Sequence, residues 1–221
     1  MFSRLGRGSA AAAALFALTA AAPSLGAAAS SVSPFPGLEV VDSKNVDALY
    51  RRPDVDASAY DKILIGEPVV EFSKNWNPRN YGTFGLSAAQ LAKIRADVAA
   101  LAKSTFAKVL SDGGYAIVTE PGDGVLEVTP NIANLFINAP NTQSAGRSKT
   151  YTMEVGSMTL VLQVSDAVTG TLLAVAYDRQ RAGQSPTLQW ATSVSNRAAA
   201  ATVLKGWAEL LKSELDAARA K

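Results

Sequence analysis

An amphipathic helix between residues 87 and 112 is the sequence feature that narrows the choice of folds furthest. Gln90 follows Ser87 at the spacing of a capping box, and Gly113 and Gly114 mark the end of the helix. One stripe of residues recurs at helical spacing between these signals. It consists of Leu91, Ile94, Val98, Leu101, Thr105, Phe106 and Val109. A helix with a single apolar stripe buries one face, and we expect that face to pack on a sheet.

Runs of branched or alternating apolar residues predict the strands of that sheet. They cover residues 63–72, 115–119, 125–134, 158–164 and 172–177. A second amphipathic helix is predicted from about residue 196 to 220, with Trp207 on its apolar face. The predicted fold class is α+β, a two-layer sandwich in which a mainly antiparallel sheet of about five strands carries two amphipathic helices on one face.

The first 29 residues have the three zones of a secretory signal peptide. Arg4 and Arg7 precede an apolar stretch at residues 9–22, and Ala27-Ala28-Ala29 fits the cleavage pattern, with cleavage after Ala29. The apolar stretch is shorter than the roughly 20 residues that cross a bilayer. We therefore expect a mature protein of the periplasm or the secreted fraction that does not span the membrane. The predicted organisation is a signal peptide at 1–29, an extended N-terminal segment at 30–60 and a single α+β domain at 61–221.

The chain contains no cysteine and no histidine. These absences exclude disulfides, thiol catalysis, thiolate metal sites, imidazole catalysis and Ser-His-Asp triads. We expect no metal site and no cofactor, and the sequence favours a protein that is not an enzyme. Cleavage of the signal removes two of the 21 basic residues, which leaves 19 against 19 acidic residues. Without excess charge or a basic cluster, nucleic acid is not an expected partner.

Two predicted loops carry candidate ligand-binding residues. Trp76, Arg79 and Tyr81 follow the first strand, in a mixture of aromatic and basic side chains that suits ligand or partner contact. The alternative is that Trp76 and Tyr81 pack back onto the core. Trp190, in a later loop, would supply a second aromatic platform for a sugar or a peptide if it lies near Trp76.

Basic residues in two predicted loops, at 138–150 and 179–192, suggest a third set of contacts. Arg179 and Arg181, with Arg147 and Lys149, are candidates for a basic rim at one end of the sheet, and solvated loop charge is the alternative. A carboxylate pair for hydrolysis would have to come from Glu71, Glu120, Asp123 and Glu127, which meet no spacing rule. We assign no catalytic residue.

Three short stretches resemble a known family. VDSKNVDALYRRP at 41–53, YDKILI at 60–65 and KNW at 74–76 are similar to exported bacterial proteins of unknown function, many of which look like lipoproteins. The resemblance implies a bacterial cell-envelope setting and brings no catalytic residues with it. This chain lacks the lipid-bearing cysteine, so we do not expect lipidation.

The leading functional prediction is a non-enzymatic protein of the cell envelope that binds an envelope protein or polymer. The alternative is a glycan-binding, small-ligand-binding or hydrolytic protein that acts on an envelope polymer. A cleft shared by Trp76 and Trp190 would favour the alternative, whereas aromatic side chains buried in separate places would favour the leading prediction.

Overall fold

Ten strands and two long helices are present in the computed structural model, which describes residues 33–80, 85–138, 151–152, 156–182, 189–190 and 193–220. The helices are α1 (Ala88–Asp112) and α2 (Ser193–Arg219). The strands are β1 (Glu39–Val41), β2 (Ala48–Arg51), β3 (Lys62–Ile65), β4 (Val70–Phe72), β5 (Ala116–Val118), β6 (Val125–Ile137), β7 (Tyr151–Thr152), β8 (Gly156–Asp166), β9 (Leu172–Ala182) and β10 (Gln189–Trp190).

Eight of these strands form one mixed sheet. Its order is β1-β2-β9-β8-β6-β3-β5, and β4 pairs with β6 beside this path. The long central pairs β6–β8 and β8–β9 are antiparallel, whereas β3 is parallel to both β5 and β6. β7 and β10 form a separate antiparallel pair. The α+β class, the mainly antiparallel sheet and the two helices are therefore confirmed.

The predicted number of about five strands is wrong, because the sheet has eight. Two of the additional strands, β1 and β2, lie within residues 30–60 and extend one edge of the sheet. The run at 63–72, predicted as one strand, forms both β3 and β4. These two strands pair with successive parts of β6, and the backbone between them stays attached, since Gly66 N donates to the carbonyl of Val128 at 2.9 Å.

The neighbours of β5 are set by distant parts of the chain. A short turn joins β5 to β6, yet the two strands do not pair, because β3 lies between them and is parallel to each. The chain leaves β3, passes through α1 and returns as β5 on one side of β3. The turn after β5 then leads to β6 on the other side of β3.

Local signals set the position of α1 as predicted. The Ser87 hydroxyl accepts from the backbone N–H of Gln90 at 3.3 Å, and the Gln90 side chain accepts from the backbone N–H of Ser87 at 2.8 Å. Of the predicted stripes, Leu101 and Phe106 of α1 and Trp207 of α2 are buried. The helices also bury residues beside these positions, namely Ala102 and Leu110 of α1 and Leu204, Ala208 and Leu211 of α2.

The hydrophobic core lies between these helices and one side of the sheet. Every second residue of β8 enters it, namely Met158, Leu160, Leu162 and Val164. Leu126, Val128 and Ile132 of β6 join them from the neighbouring strand. Among the described residues, neither α1 nor α2 combines the length and apolarity that a bilayer-crossing helix requires.

Candidate functional site

The candidate site is the side of the central strands turned away from the helices. Successive side chains of a strand point to opposite sides of the sheet, so residues of β8 between the core positions lie on this second side. Antiparallel pairing places Asn131 and Tyr177 on either side of Val161. We call this surface the open face and define it by Tyr50, Thr129, Asn131, Thr159, Gln163, Tyr177, Arg179 and Arg181.

The centre of the open face is apolar and its surroundings are polar. Val161 is 3% exposed and Val175 is 0% exposed. Beside them, the half-buried amide of Asn131 donates from Nδ2 to Oε1 of Gln163 at 3.4 Å. Oδ1 of Asn131 accepts from the backbone N–H of Val69 at 2.8 Å, which fixes the orientation of the amide. The face therefore offers oriented hydrogen-bonding groups around two buried valines.

Three aromatic rings meet at the β2–β9 side of the open face. The Tyr50 and Tyr177 rings lie edge to face, with centroids 6.3 Å apart. Phe35, which precedes β1, stacks on Tyr177 at 6.3 Å and meets Tyr50 edge-on at 5.3 Å. Burial, and then the proximity of Tyr50, raise the pKa of Tyr177. The phenol of Tyr177 thus stays protonated and remains a hydrogen-bond donor throughout the neutral pH range.

Arg179 and Arg181 lie on a strand, whereas the sequence placed them in a loop. β9 continues to Ala182 because its backbone pairs with β8 along its whole length. The backbone N–H of Arg179 also donates to the Asp47 carboxylate at 2.9 Å. Both arginine side chains are exposed, and they alternate with Asp178 and Gln180, which lie on the helix side. They give one end of the open face its positive charge.

Trp76 packs inward. It is 6% exposed, its ring stacks on Phe72 with centroids 4.4 Å apart, and its Nε1 donates to the carbonyl of Ile137 at 2.9 Å. The guanidinium of Arg95 covers the Phe72 ring at 4.9 Å. The geometry favours the alternative in which Trp76 packs back onto the core. Arg79 lies in a turn of 3-10 helix and is exposed.

The other candidate ligand-binding residues do not come together within the part of the chain that the structure describes. Tyr81, Arg147 and Lys149 lie outside the described residues. Trp190 lies in β10, where its backbone pairs with Tyr151 of β7, and its side chain is outside the described part. The predicted pairing of Trp76 with Trp190 stays a prediction.

Of the four carboxylates considered for hydrolysis, Glu71 and Glu127 lie in strands, and Glu120 and Asp123 lie in the connection between β5 and β6. Glu127 lies at the start of β6, whereas Glu71 lies in β4, opposite residues 132–135 of β6. Six residues along a strand correspond to about 20 Å. Glu120 and Asp123 line a shallow pocket beside β5, where the Lys62 ammonium donates to the Asp123 carbonyl at 3.2 Å. Among the described residues, no group of three or more acidic side chains is placed to hold a metal ion.

Sequence reasoning missed Phe35 and the two tyrosines as members of one site. Tyr50 and Tyr177 are 127 positions apart in the chain, and only the β2–β9 pairing brings their strands together. One signal was available, because Phe35 stands between Pro34 and Pro36 in a segment otherwise poor in apolar residues. An aromatic residue in such a segment indicates a specific contact.

Several solved structures match this chain at low sequence identity and low TM-score. The PelC dodecamer from Paraburkholderia phytofirmans is 11% identical, with a TM-score of 0.34, and the match covers 72% of this chain and 93% of that one. Protein XCC0632 from Xanthomonas campestris, of the DUF330 family, is 11% identical with a TM-score of 0.40, over 76% of this chain and 93% of that one. A putative neuraminyllactose-binding hemagglutinin homolog from Helicobacter pylori is 13% identical with a TM-score of 0.35, over 71% and 85%.

Curated protein sequences contain no match to this chain. A family does match it, over residues 28–211, which is most of its length. The match confirms the resemblance to a family of unknown function. The description of that family does not mention export. The chain belongs to the family described as Protein of unknown function (DUF3313).

Proposed function

We propose that this protein is exported to the bacterial cell envelope and binds a partner there through the open face, without catalysing a reaction. One observation carries the proposal. The three long strands β6, β8 and β9, with β2 beside them, form a surface that combines oriented amides, two tyrosines and two arginines around the buried Val161 and Val175. Tyrosine and arginine are enriched in protein interfaces and in the residues that dominate binding energy.

The outer surfaces of the helices have a different character. They carry ion pairs four residues apart, Lys93–Asp97 and Lys108–Asp112 on α1 and Lys212–Asp216 on α2. Such pairs are typical of solvated helix surfaces and contribute little energy. The contrast supports the open face, and not the helix layer, as the binding surface.

The placement of Trp76 weakens the alternative of a glycan platform. A ring that is stacked on Phe72 and donates its N–H to a carbonyl is not free to stack on a sugar. The separation of Glu71 and Glu127 likewise supports binding over hydrolysis by that pair, because the two carboxylates lie too far apart to act on one bond.

Site-directed photo-crosslinking in the native bacterium tests the binding surface. A photoreactive phenylalanine analogue replaces Thr159 or Gln163 on the open face, and Ala96 or Ala100 on the exposed side of α1 as matched controls. We expect a discrete crosslinked product from the open-face positions and none from α1. The yield of the crosslinked product should fall when Arg179 and Arg181 are both replaced by Ala. Crosslinking of equal strength from both surfaces, or from α1 alone, would refute the proposal.

Export is tested separately by N-terminal sequencing of the protein from the envelope fraction. The mature chain should begin between Ala28 and Ser31, as the cleavage pattern predicts. An intact Met1 on envelope-located protein would contradict a cleavable signal, and recovery from the cytoplasm alone would contradict export.

A further inference from the structure

We propose that the open face binds the open face of a second copy of this chain, in a symmetric dimer whose two-fold axis runs along β8. The inference rests on the proposed function, and it names the partner that the open face recognises. In such a dimer both copies use the same surface, so each contact between them occurs twice.

The charges on and beside the open face are divided between its two sides. Arg179 and Arg181 lie on β9. Glu71 and Glu127 lie on β4 and β6, across β8 from the arginines, and they point to the open-face side because the residues next to them enter the core. Among the described residues, Arg179, Glu71 and Glu127 form no ion pair. Their charges are therefore available to another molecule.

The opposite charges lie at matching heights along the strands. Arg179 pairs with Thr159 of β8, and Thr159 pairs with Ala133 of β6. Glu71 lies between the two β4 residues that pair with residues 132 and 135 of β6. Arg179 and Glu71 are therefore level with each other on opposite sides of β8.

Nearby charges of the other sign have partners inside the chain. The Asp47 carboxylate, on the basic side, accepts from the backbone N–H of Arg179 at 2.9 Å. The Lys62 ammonium, at the start of β3 on the acidic side, lies 3.6 Å from the Asp61 carboxylate. The division into a basic and an acidic side is therefore kept.

This division decides between the two simple ways of stacking one open face on another. A two-fold axis across the strands would place β9 over β9 and bring the arginines of both copies together, and such contact between like charges is costly. An axis along β8 instead places β9 of each copy over β6 and β4 of the other. Arg179 of one copy then faces Glu71 of the second copy. Sheets stacked face to face lie about 10 Å apart, a gap that these two long side chains can close together.

An exposed apolar side chain on the acidic side fits the same arrangement. Val69 is 59% exposed, and its backbone N–H donates to Oδ1 of Asn131 at 2.8 Å, so it lies level with Asn131. Asn131 pairs with Val161, and Val161 pairs with Tyr177, on whose ring the partly exposed Phe35 stacks. The axis along β8 therefore places Val69 of one copy near the aromatic rings of the other. Contact between them removes apolar surface from water.

Exchange of the two charges tests the dimer in solution. Sedimentation velocity measures dimerisation of the full chain for wild type, Arg179→Glu, Glu71→Arg and an equimolar mixture of the two variants. Each variant alone should dimerise about tenfold or more weakly than wild type, because like charges then face each other at two places. The mixture should recover the wild-type affinity, since both contacts again join opposite charges. Lys93→Glu, on the exposed side of α1, is the matched control and should leave dimerisation unchanged.

The photo-crosslink from Thr159 connects this dimer to the bacterium, and mass spectrometry should find two copies of this chain in the product. A wild-type chain that stays monomeric, or a mixture of folded variants that recovers no dimers, would overturn the inference. A crosslink to a different protein alone would overturn it too, while the proposed function would stand. If no crosslink forms from the open face in the bacterium, the proposed function fails, and recovery of dimers by charge exchange in solution would still support the dimer.

Discussion

Trp207 and Asp178 are joined inside the core by a hydrogen bond of 2.6 Å from the indole Nε1 to the carboxylate Oδ2. Both are buried, at 4% exposure each. Gln180 donates to the same oxygen at 2.8 Å. The bond fastens α2 to β9, the strand that also presents Tyr177 and Arg179 on the open face, so it couples the helix layer to the strand that carries much of the site.

We predict that Trp207→Phe, which keeps most of the aromatic volume, destabilises the fold by about 1–3 kcal/mol, because it leaves a buried carboxylate short of a donor. Trp207→Ala should cost more, about 3–5 kcal/mol, since it also removes the ring from the core. Urea unfolding followed by circular dichroism measures both changes.

A double-mutant cycle with Asp178→Ala separates the hydrogen bond from the packing. Trp207→Phe and Asp178→Ala together should cost less than the sum of the single changes, by about 0.5–3 kcal/mol. If the free-energy changes of the two single variants simply add in the double variant, the hydrogen bond contributes no coupling energy between Trp207 and Asp178. Val168→Ala, at a position 60% exposed, serves as the control and should change the unfolding free energy by less than about 0.5 kcal/mol.

The cap of α1 gives a second prediction. Ser87→Ala removes the acceptor for the backbone N–H of Gln90 and the reciprocal geometry of the capping box, and should lower stability by about 1 kcal/mol. Ser213→Ala, in the exposed interior of α2, is the matched control. It should be neutral or slightly stabilising, because alanine has the higher helix propensity. A Ser87→Ala chain that unfolds at the wild-type midpoint would show that the cap contributes nothing.

Features that depend on nearby residues were predictable, whereas those that depend on distant pairing were not. The α1 cap and the two apolar stripes follow from residues three or four apart. The core position of Trp207 was predicted in this way. Its hydrogen-bond partner, Asp178, is 29 residues away and borders the segment that was predicted to be a loop. Consecutive polar residues at 178–181 disfavour a strand locally, and pairing with β8 overrides that preference.

Gly66 yields a third prediction, based on close contact between strands. A Cβ at this position would overlap the hydroxyl of Thr129, because the backbone between β3 and β4 passes directly over that side chain. Gly66→Ala should therefore destabilise the fold by about 1–3 kcal/mol. Thr129→Ala in the same chain removes the overlapping oxygen and should restore a large part of the loss. If the second change only adds to the damage, the overlap is not the cause.

Tyr115 connects the end of α2 to the sheet and gives a fourth prediction. Its hydroxyl donates to the Asp216 carboxylate at 2.7 Å, and the Arg219 guanidinium lies 4.2 Å above its ring. Burial, followed by the hydrogen bond to Asp216, raises the pKa of Tyr115 from 10.0 to about 12. A pKa that is higher in the folded state means that the stabilisation is complete below the unfolded pKa and is lost as pH rises through the folded pKa. We expect unfolding free energy to fall between pH 10.0 and about 12, and Tyr115→Phe to flatten that fall.

Asp216→Asn is the matched change for the opposite end of the pH range. Hydrogen bonds, first from Lys212 and then from Tyr115, lower the pKa of Asp216 below its ordinary value of 3.8. Its contribution is thus present above that value and is lost as pH falls through the folded pKa. As pH falls into the acid range, the urea midpoint should drop less steeply for Asp216→Asn than for the wild-type chain. As pH rises into the alkaline range, the variant should still lose the stability that depends on burial of the protonated Tyr115. If Tyr115→Phe leaves the alkaline limb unchanged, Tyr115 does not titrate in the way that its burial implies.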